Sequence, residues 1–186
     1  MRRSFVAVQM PAEAVAALTT AITPLRQRHS GLRWARSTRW HLTLAFLGEL
    51  STGGRLRALQ ALRRATWHTP RFEVMVPGRL GRFGERVLWA AVETDDESLA
   101  MLVATIRQEL AAEGVLYDDR PFRAHVTLAR GRRQLTLPRT RTLTAPGLPY
   151  RWPVTAVALM SSDPNGQGNG YRTVATWPLH GDARDA

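Results

Sequence analysis

Two short segments of the chain place a threonine two residues after a histidine. They are His41-Leu42-Thr43-Leu44 and His125-Val126-Thr127-Leu128. Histidine has an unperturbed pKa near neutrality, so its imidazole can donate or accept a proton at physiological pH. Two imidazoles that face one cleft could therefore supply the acid and the base of a single reaction.

Displacement at phosphorus suits such a pair, because the attacking and leaving oxygens lie on opposite sides of the phosphorus atom. The hydroxyls of Thr43 and Thr127 could donate to the non-bridging oxygens between the imidazoles. Arg130 does not share their face by strict strand alternation, but a twist or bulge at the strand end could bring its guanidinium to the phosphate. Two alternatives remain open: buried histidines satisfied by the threonines, and metal ligands. No carboxylate stands at ligand spacing near either histidine.

The elements around the two motifs repeat, which indicates how the motifs are positioned. In a strand, residues i and i+2 point to the same face, so each His–Thr pair faces away from its apolar neighbours. A predicted strand ends at Val8, and His41 follows 33 residues later; another ends at Val92, and His125 follows 33 residues later. Each interval holds one helix. We therefore predict an α+β fold of two pseudo-symmetric lobes, with mostly antiparallel sheets, helices on the outside and a central cleft.

Hydrophobic periodicity and turn residues predict the individual elements. The predicted helices span residues 11–28, 52–66 and 97–113, and the middle one is expected to turn Leu56, Leu59 and Leu62 inward. The predicted strands span residues 4–10, 40–47, 72–76, 87–92, 122–129, 154–160 and 171–177. Residues 77–86 are predicted to be a turn. We expect one domain over residues 1–180 and a disordered tail at 181–186.

Composition excludes several classes of protein. The chain has 186 residues and no cysteine, which removes disulfides, thiolate nucleophiles and cysteine metal sites. No apolar run approaches the roughly 20 residues of a membrane span. Arg2-Arg3 resembles the start of a twin-arginine export signal, but Gln9, Pro11 and Glu13 interrupt the apolar stretch too early. We therefore expect a cytoplasmic protein.

The net charge of +11 comes from basic residues that are all arginine. A polyanionic partner and an ordinary basic surface both fit this balance. Five arginines could form the wall of a groove or be solvated: Arg2, Arg3, Arg33, Arg36 and Arg39. The aromatic residues that could stack on a nucleobase are Phe46, Trp34, Trp40 and Tyr171. The loop at 161–170 could close over a substrate or be an ordinary hairpin loop.

The paired motifs resemble those of the 2H phosphoesterase superfamily, whose mark is two His-x-Thr-x segments on a duplicated α+β fold. Within it the chain is most similar to the RNA 2′,3′-cyclic phosphodiesterases of the LigT type, also described as 2′–5′ RNA ligases. The segments that carry the resemblance are residues 3–8, 40–48, 121–130 and 171–179. Ala124 is a departure, since proline usually precedes the second histidine in that family.

The resemblance implies hydrolysis of a terminal RNA 2′,3′-cyclic phosphate to a 2′-phosphomonoester, with no metal and no cofactor. It implies that His41 is the proton donor and His125 the proton acceptor, that Thr43 and Thr127 hold the phosphate, and that Arg130 contacts it. We expect a monomer that acts on RNA with a cyclic end or on a small cyclic nucleotide. The alternatives are 2′–5′ ligation, a small cyclic nucleotide phosphodiesterase and a non-catalytic RNA-binding module.

Overall fold

The computed structural model describes residues 3–131, 143–145, 147–162 and 170–180. Within these residues the helices are α1 (Ala12–Arg28), α2 (Thr52–Trp67) and α3 (Ser98–Ala112). The strands are β1 (Arg3–Gln9), β2 (Arg33–Trp34), β3 (His41–Glu49), β4 (Phe72–Val76), β5 (Arg79–Phe83), β6 (Val87–Ala91), β7 (His125–Arg130), β8 (Leu143–Thr144), β9 (Tyr150–Val154), β10 (Ala156–Ser162) and β11 (Tyr171–Pro178). Arg2, the tail at 181–186 and most of the loop at 161–170 lie outside the described residues.

The strands form two larger sheets and one pair. The first sheet has the order β11-β10-β1-β3, the second has the order β2-β7-β6-β5-β8, and β4 pairs with β9. Every pairing among these strands is antiparallel. The predicted α+β class with antiparallel sheets is therefore confirmed.

The two sheets repeat one arrangement around the His–Thr strands. In the first sheet β1 lies between β10 and β3, and in the second β6 lies between β5 and β7. Leu42 pairs with Val8, and Val126 pairs with Ala90. Counted between these paired residues, the chain from β1 to β3 is two residues shorter than the chain from β6 to β7. The matched spacing of 33 residues was therefore measured between positions that are not equivalent. The repeat itself stands, because in both sheets the motif strand pairs antiparallel with the strand that precedes its helix, and a third strand pairs on the other side of that strand.

One continuous core underlies both sheets and the helices. Its fully buried side chains include Leu42, Leu62, Ile106 and Leu128, so it joins β3, α2, α3 and β7. Burial at this scale stabilises the fold by about 1.5–3 kcal/mol for each large aliphatic side chain. The apolar side chains that follow each histidine therefore anchor the motif strands and leave the opposite face free.

The inward face of α2 differs from the predicted one. Leu62 is buried and Leu59 packs half-buried against the core as predicted, but Leu56 is 58% exposed. The buried stripe runs instead through Ala58, Ala61 and Ala65, small residues that let α2 lie close against α3. The helix begins after Ser51, whose Oγ accepts a hydrogen bond from the Gly54 N–H at 3.0 Å. The sequence analysis predicted the inward face of α2 from its larger leucines and missed the stripe of alanines.

The predicted turn at 77–86 contains a strand, β5, and this prediction was wrong. Its sequence, Arg-Leu-Gly-Arg-Phe, lacks β-branched residues, but Leu80 is buried and β5 is held between β6 and β8. Three other short strands were also not predicted, namely β2, β8 and β9. In each case pairing with a neighbour, rather than local propensity, makes the strand. None of the helices in the described part of the chain is long and apolar enough to cross a membrane.

Candidate active site

The two motif histidines occupy equivalent positions and are held in the same way. Each is the first residue of its strand, His41 of β3 and His125 of β7. His41 Nδ1 lies 2.7 Å from the carbonyl oxygen of Arg39, and His125 Nδ1 lies 2.6 Å from that of Arg123. Because a carbonyl oxygen can only accept, Nδ1 carries the hydrogen in both cases. Nε2 is therefore the nitrogen that gains and loses a proton in each ring.

A bulge in each motif strand changes which side chains join the histidine face. Thr43 pairs with Ala7 and Phe46 pairs with Phe5, so Thr43 and Phe46 share a face although they are three residues apart. The irregularity between them inserts one residue into β3. Strict alternation would have placed Phe46 on the buried face instead.

Strand β7 of the second lobe contains an equivalent bulge. Thr127 pairs with Trp89 and Arg130 pairs with Val87, across an irregularity that adds one residue to β7. Arg130 therefore lies on the face of His125 and Thr127, as the bulge proposed from the sequence requires. Phe46 and Arg130 each follow their histidine by five residues and stand in corresponding places. One lobe thus presents an aromatic ring where the other presents a guanidinium.

His41 is enclosed by aromatic rings. Phe5 stacks on the imidazole with a centroid separation of 4.8 Å and an interplanar angle of 24°. Tyr171 meets both rings edge-on, at 5.2 Å from each. Phe46 is 48% exposed and Tyr171 is 36% exposed, so both rings present a surface at the site. These contacts fix the imidazole plane and remove water from one side of it.

His125 has a different aromatic surround. Phe83 meets the imidazole edge-on at 4.7 Å, and Trp89 lies 6.2 Å from it. The indole of Trp89 lies directly over Gly81, where an added Cβ would come within 2.2 Å of the ring. The sequence analysis missed Phe5, Phe83 and Trp89 as neighbours of the histidines. A glycine inside a strand signals such close approach, but β5 had to be recognised as a strand first.

Burial lowers the pKa of both histidines below the usual 6.5. For His41 the largest cause is desolvation; the bond to the Arg39 carbonyl opposes it, and positive charge on His125 lowers this pKa further. For His125 desolvation is again the largest cause, opposed by the bond to the Arg123 carbonyl, and the Arg130 guanidinium lowers the pKa further. The two imidazoles are thus close enough for charge on His125 to act on His41.

The remaining sequence candidates lie elsewhere or are buried. Trp40 is 6% exposed and packs in the core, and Trp34 packs against the core with its indole N–H donating to the His29 carbonyl at 2.9 Å. Trp40 is therefore not available for stacking on a base, whereas Trp34 is half-buried. His68 and His180 are exposed, and the His180 ring lies against Trp67. No cluster of three or more His, Asp or Glu side chains suited to a metal ion occurs in the ranges that the structure covers.

An open cavity of about 260 Å³ lies at the end of β1, and the motif histidines do not line it. Gln9, Pro11, Pro153 and Thr176 are among the residues that line it. Neither motif histidine nor motif threonine belongs to its wall. The paired histidines therefore place the candidate site between β3 and β7, which belong to different sheets, rather than at this cavity.

Comparison with known proteins finds the same architecture in related chains. The family model of the 2′-5′ RNA ligase superfamily matches residues 10–166. A Thermus thermophilus protein named RNA 2′,3′-cyclic phosphodiesterase is 32% identical over 97% of this chain and 91% of its own length. A Geobacillus stearothermophilus protein of the same name is 27% identical over 97% of this chain, which spans only 59% of that relative.

A solved structure from Escherichia coli, LigT in complex with 3′-AMP, superposes with a TM-score of 0.75. The two chains are 25% identical, and the match covers 96% of this chain and 98% of that one. This near-complete coverage means that the two chains share one fold.

Proposed function

Because the chain belongs to the 2′-5′ RNA ligase superfamily, we propose that it hydrolyses the terminal 2′,3′-cyclic phosphate of RNA to a 2′-phosphomonoester. The observation that carries this proposal is the pair of equivalent histidines, each with Nδ1 bound to a backbone carbonyl and Nε2 left to exchange protons. Relatives named RNA 2′,3′-cyclic phosphodiesterase support the same substrate. The enzyme would act as a single two-lobed domain, a monomer in the cytoplasm.

In the proposed reaction, water attacks phosphorus opposite the ribose 3′-oxygen. His125 Nε2 takes a proton from the water as its oxygen bonds to phosphorus, and His41 Nε2 gives a proton to the 3′-oxygen as the P–O3′ bond breaks. The hydroxyls of Thr43 and Thr127 donate to the non-bridging oxygens, where charge accumulates in the transition state. The Arg130 guanidinium adds a charged donor to the same phosphate. Acid and base are thus both supplied by side chains of the protein, without a metal ion or cofactor.

The surroundings of the histidines favour this assignment of base and acid. Arg130 lowers the pKa of His125, which keeps that imidazole neutral and ready to accept a proton. Positive charge on His125 lowers the pKa of His41, so protonation of one imidazole opposes protonation of the other. The Arg130 charge therefore breaks the symmetry of an otherwise matched pair.

The terminal base is proposed to stack on Phe46 or Tyr171. Both rings are exposed on the histidine face of the first sheet, and Phe5 contacts both of them. A flat base on such rings gains about 1–3 kcal/mol with little dependence on its identity. This contact would position the terminal ribose against His41.

The test is hydrolysis of a nucleoside 2′,3′-cyclic phosphate in excess chelator, with the product isomer identified by chromatography. We expect the 2′-phosphate, and a loss of about 10²–10⁴-fold in kcat for His41→Ala and for His125→Ala, because each removes one proton transfer. His68→Ala is the matched control, since His68 is exposed and outside the site. It should retain full activity.

The other outcomes separate the alternatives. A 3′-phosphate product would contradict the leaving-group assignment. Full dependence on an added divalent ion would contradict catalysis by two histidines. Binding of RNA without turnover of mononucleotide or oligonucleotide cyclic phosphates would favour the binding module over the enzyme.

A further inference from the structure

Strand β2 places a second arginine beside Arg130 on the histidine face. Arg33 pairs directly with Arg130 across the β2–β7 ladder. Directly opposed residues of an antiparallel pair have their Cβ atoms about 4.5–5.5 Å apart and point to the same face. Since Arg130 shares the face of His125 and Thr127, Arg33 lies on that face as well. Its neighbour Trp34 turns the other way, into the core.

Two arginines in this position repel one another and have no compensating carboxylate in the described ranges. Both are exposed, and none of the ion pairs found there includes either of them. Like charges directly opposite each other in a sheet are destabilising. An anion bound between or beside the two guanidinium groups would offset their repulsion. The pair is therefore suited to binding a phosphate group.

The corresponding place in the first lobe is not doubly basic. There Phe46 stands where Arg130 stands in the second lobe, and its carbonyl accepts the Asp118 N–H at 2.9 Å. The Asp118 carboxylate is engaged by Arg120, whose guanidinium lowers the pKa of Asp118. The site therefore has one aromatic end and one end with two arginines. A ligand with several phosphates has its favourable entry at the Arg33 end.

We propose that Arg33 binds the backbone phosphate immediately 5′ of the cyclic end, and so selects RNA chains over mononucleotides. The inference rests on the proposed function, in which Arg130 holds the reacting phosphate. An RNA ending in a 2′,3′-cyclic phosphate carries its other phosphates only on the 5′ side of the terminal nucleotide. This binding mode turns the 5′ carbon of the terminal ribose toward Arg33 while its 3′-oxygen faces His41.

The test compares a nucleoside 2′,3′-cyclic phosphate with the dinucleotide that ends in the same nucleotide and adds one internal phosphodiester. We expect Arg33→Gln to lower kcat/KM for the dinucleotide by about tenfold, because only the dinucleotide makes the charged contact. The same substitution should change kcat/KM for the mononucleotide by less than about twofold. Arg63→Gln is the matched control. It removes the same charge from the exposed face of α2 and should leave both substrates unchanged.

A dinucleotide with an uncharged methylphosphonate linkage sharpens the comparison. Wild-type enzyme should hydrolyse this analogue with the kcat/KM that Arg33→Gln has for the natural dinucleotide. Arg33→Gln should not lower kcat/KM for the analogue any further. Equal losses on mononucleotide and dinucleotide would overturn the proposal, since Arg33 would then act on the reacting phosphate. No loss on either substrate, or the same loss in Arg63→Gln, would overturn it too.

A binding measurement separates this inference from the proposed activity. Non-reactive ligands, a 3′-phosphorylated dinucleotide and the corresponding 3′-mononucleotide, are titrated into wild type and Arg33→Gln. Preferential loss of dinucleotide affinity in Arg33→Gln supports the contact even if the cyclic phosphates are not hydrolysed. An unchanged affinity ratio contradicts the contact even if hydrolysis is observed.

Discussion

At the scale of single residues, the two histidines are nearly interchangeable. Each donates Nδ1–H to the carbonyl two residues before it, and burial lowers the pKa of each. What distinguishes them is their neighbours: Arg130 beside His125, and the rings of Phe5 and Tyr171 against His41. Two chemically identical groups thus have different surroundings, which is how such groups come to take the separate acid and base roles proposed here.

These pKa shifts predict an acid-shifted pH profile. Productive catalysis needs one proton shared by the pair, so kcat/KM should follow a bell whose apparent pKa values belong to both histidines. Because both pKa values are lowered, the maximum should lie on the acid side of pH 6.5. The measurement is kcat/KM for a nucleoside 2′,3′-cyclic phosphate from about pH 4 to about pH 9.

Substitution of Arg130 should move one limb of that bell. Arg130→Gln removes a positive charge near His125, so the pKa of His125 should rise. As the base must be unprotonated, the acidic limb should shift to higher pH, in addition to an overall loss of activity. Arg63→Gln should leave the normalised profile in place. Superimposable profiles for wild type and Arg130→Gln would contradict the electrostatic role of Arg130.

Among the elements, each motif strand contains a bulge, which changes the side chains that share a face with its histidine. It brings Phe46 and Arg130 onto the faces of their histidines while the intervening apolar residues stay buried. Bulges re-aim side chains next to active sites in this way. The sequence raised the possibility for Arg130 but gave no sign that the first strand bends at the matching place.

Helix α2 offers a test of the packing. Leu62→Ala should lower the free energy of unfolding by about 2–5 kcal/mol, because a fully buried leucine leaves a cavity. Leu56→Ala should change it by less than about 0.5 kcal/mol, since that side chain is 58% exposed. Denaturant unfolding of both variants measures the difference. Equal destabilisation would mean that Leu56 packs inward, as periodicity had predicted.

In the whole molecule, the candidate site draws on both lobes and has an uneven charge distribution. One histidine comes from each sheet, and the core continues beneath both. The net charge of +11 attracts phosphate chains generally, whereas Arg33 and Arg130 place charge at one end of the site. For the proposed RNA substrate, the first effect would raise its local concentration and the second would orient it.

The salt dependence of kcat/KM should depend on how many phosphates the positively charged residues contact. For a cyclic-ended oligonucleotide, log kcat/KM should fall with log salt by about 0.7 for each phosphate contacted, since each contact releases a counterion from the single strand. A cyclic mononucleotide should show a shallower slope, because it offers one phosphate. Parallel slopes for the two substrates, measured at sub-saturating concentration, would show that RNA makes no contacts beyond its reacting end.

The sequence alone predicts the α+β class, the repeated β-helix-β plan and the two His–Thr motifs. These are local in origin: alternation fixes which side chains share a strand face, and periodicity fixes the helices. The tertiary structure decided what depends on neighbouring strands, namely β5, the two bulges, the pairing of Arg33 with Arg130 and the rings around each histidine. Such features arise from pairing between segments far apart in the chain, where the energy of contact outweighs local preference.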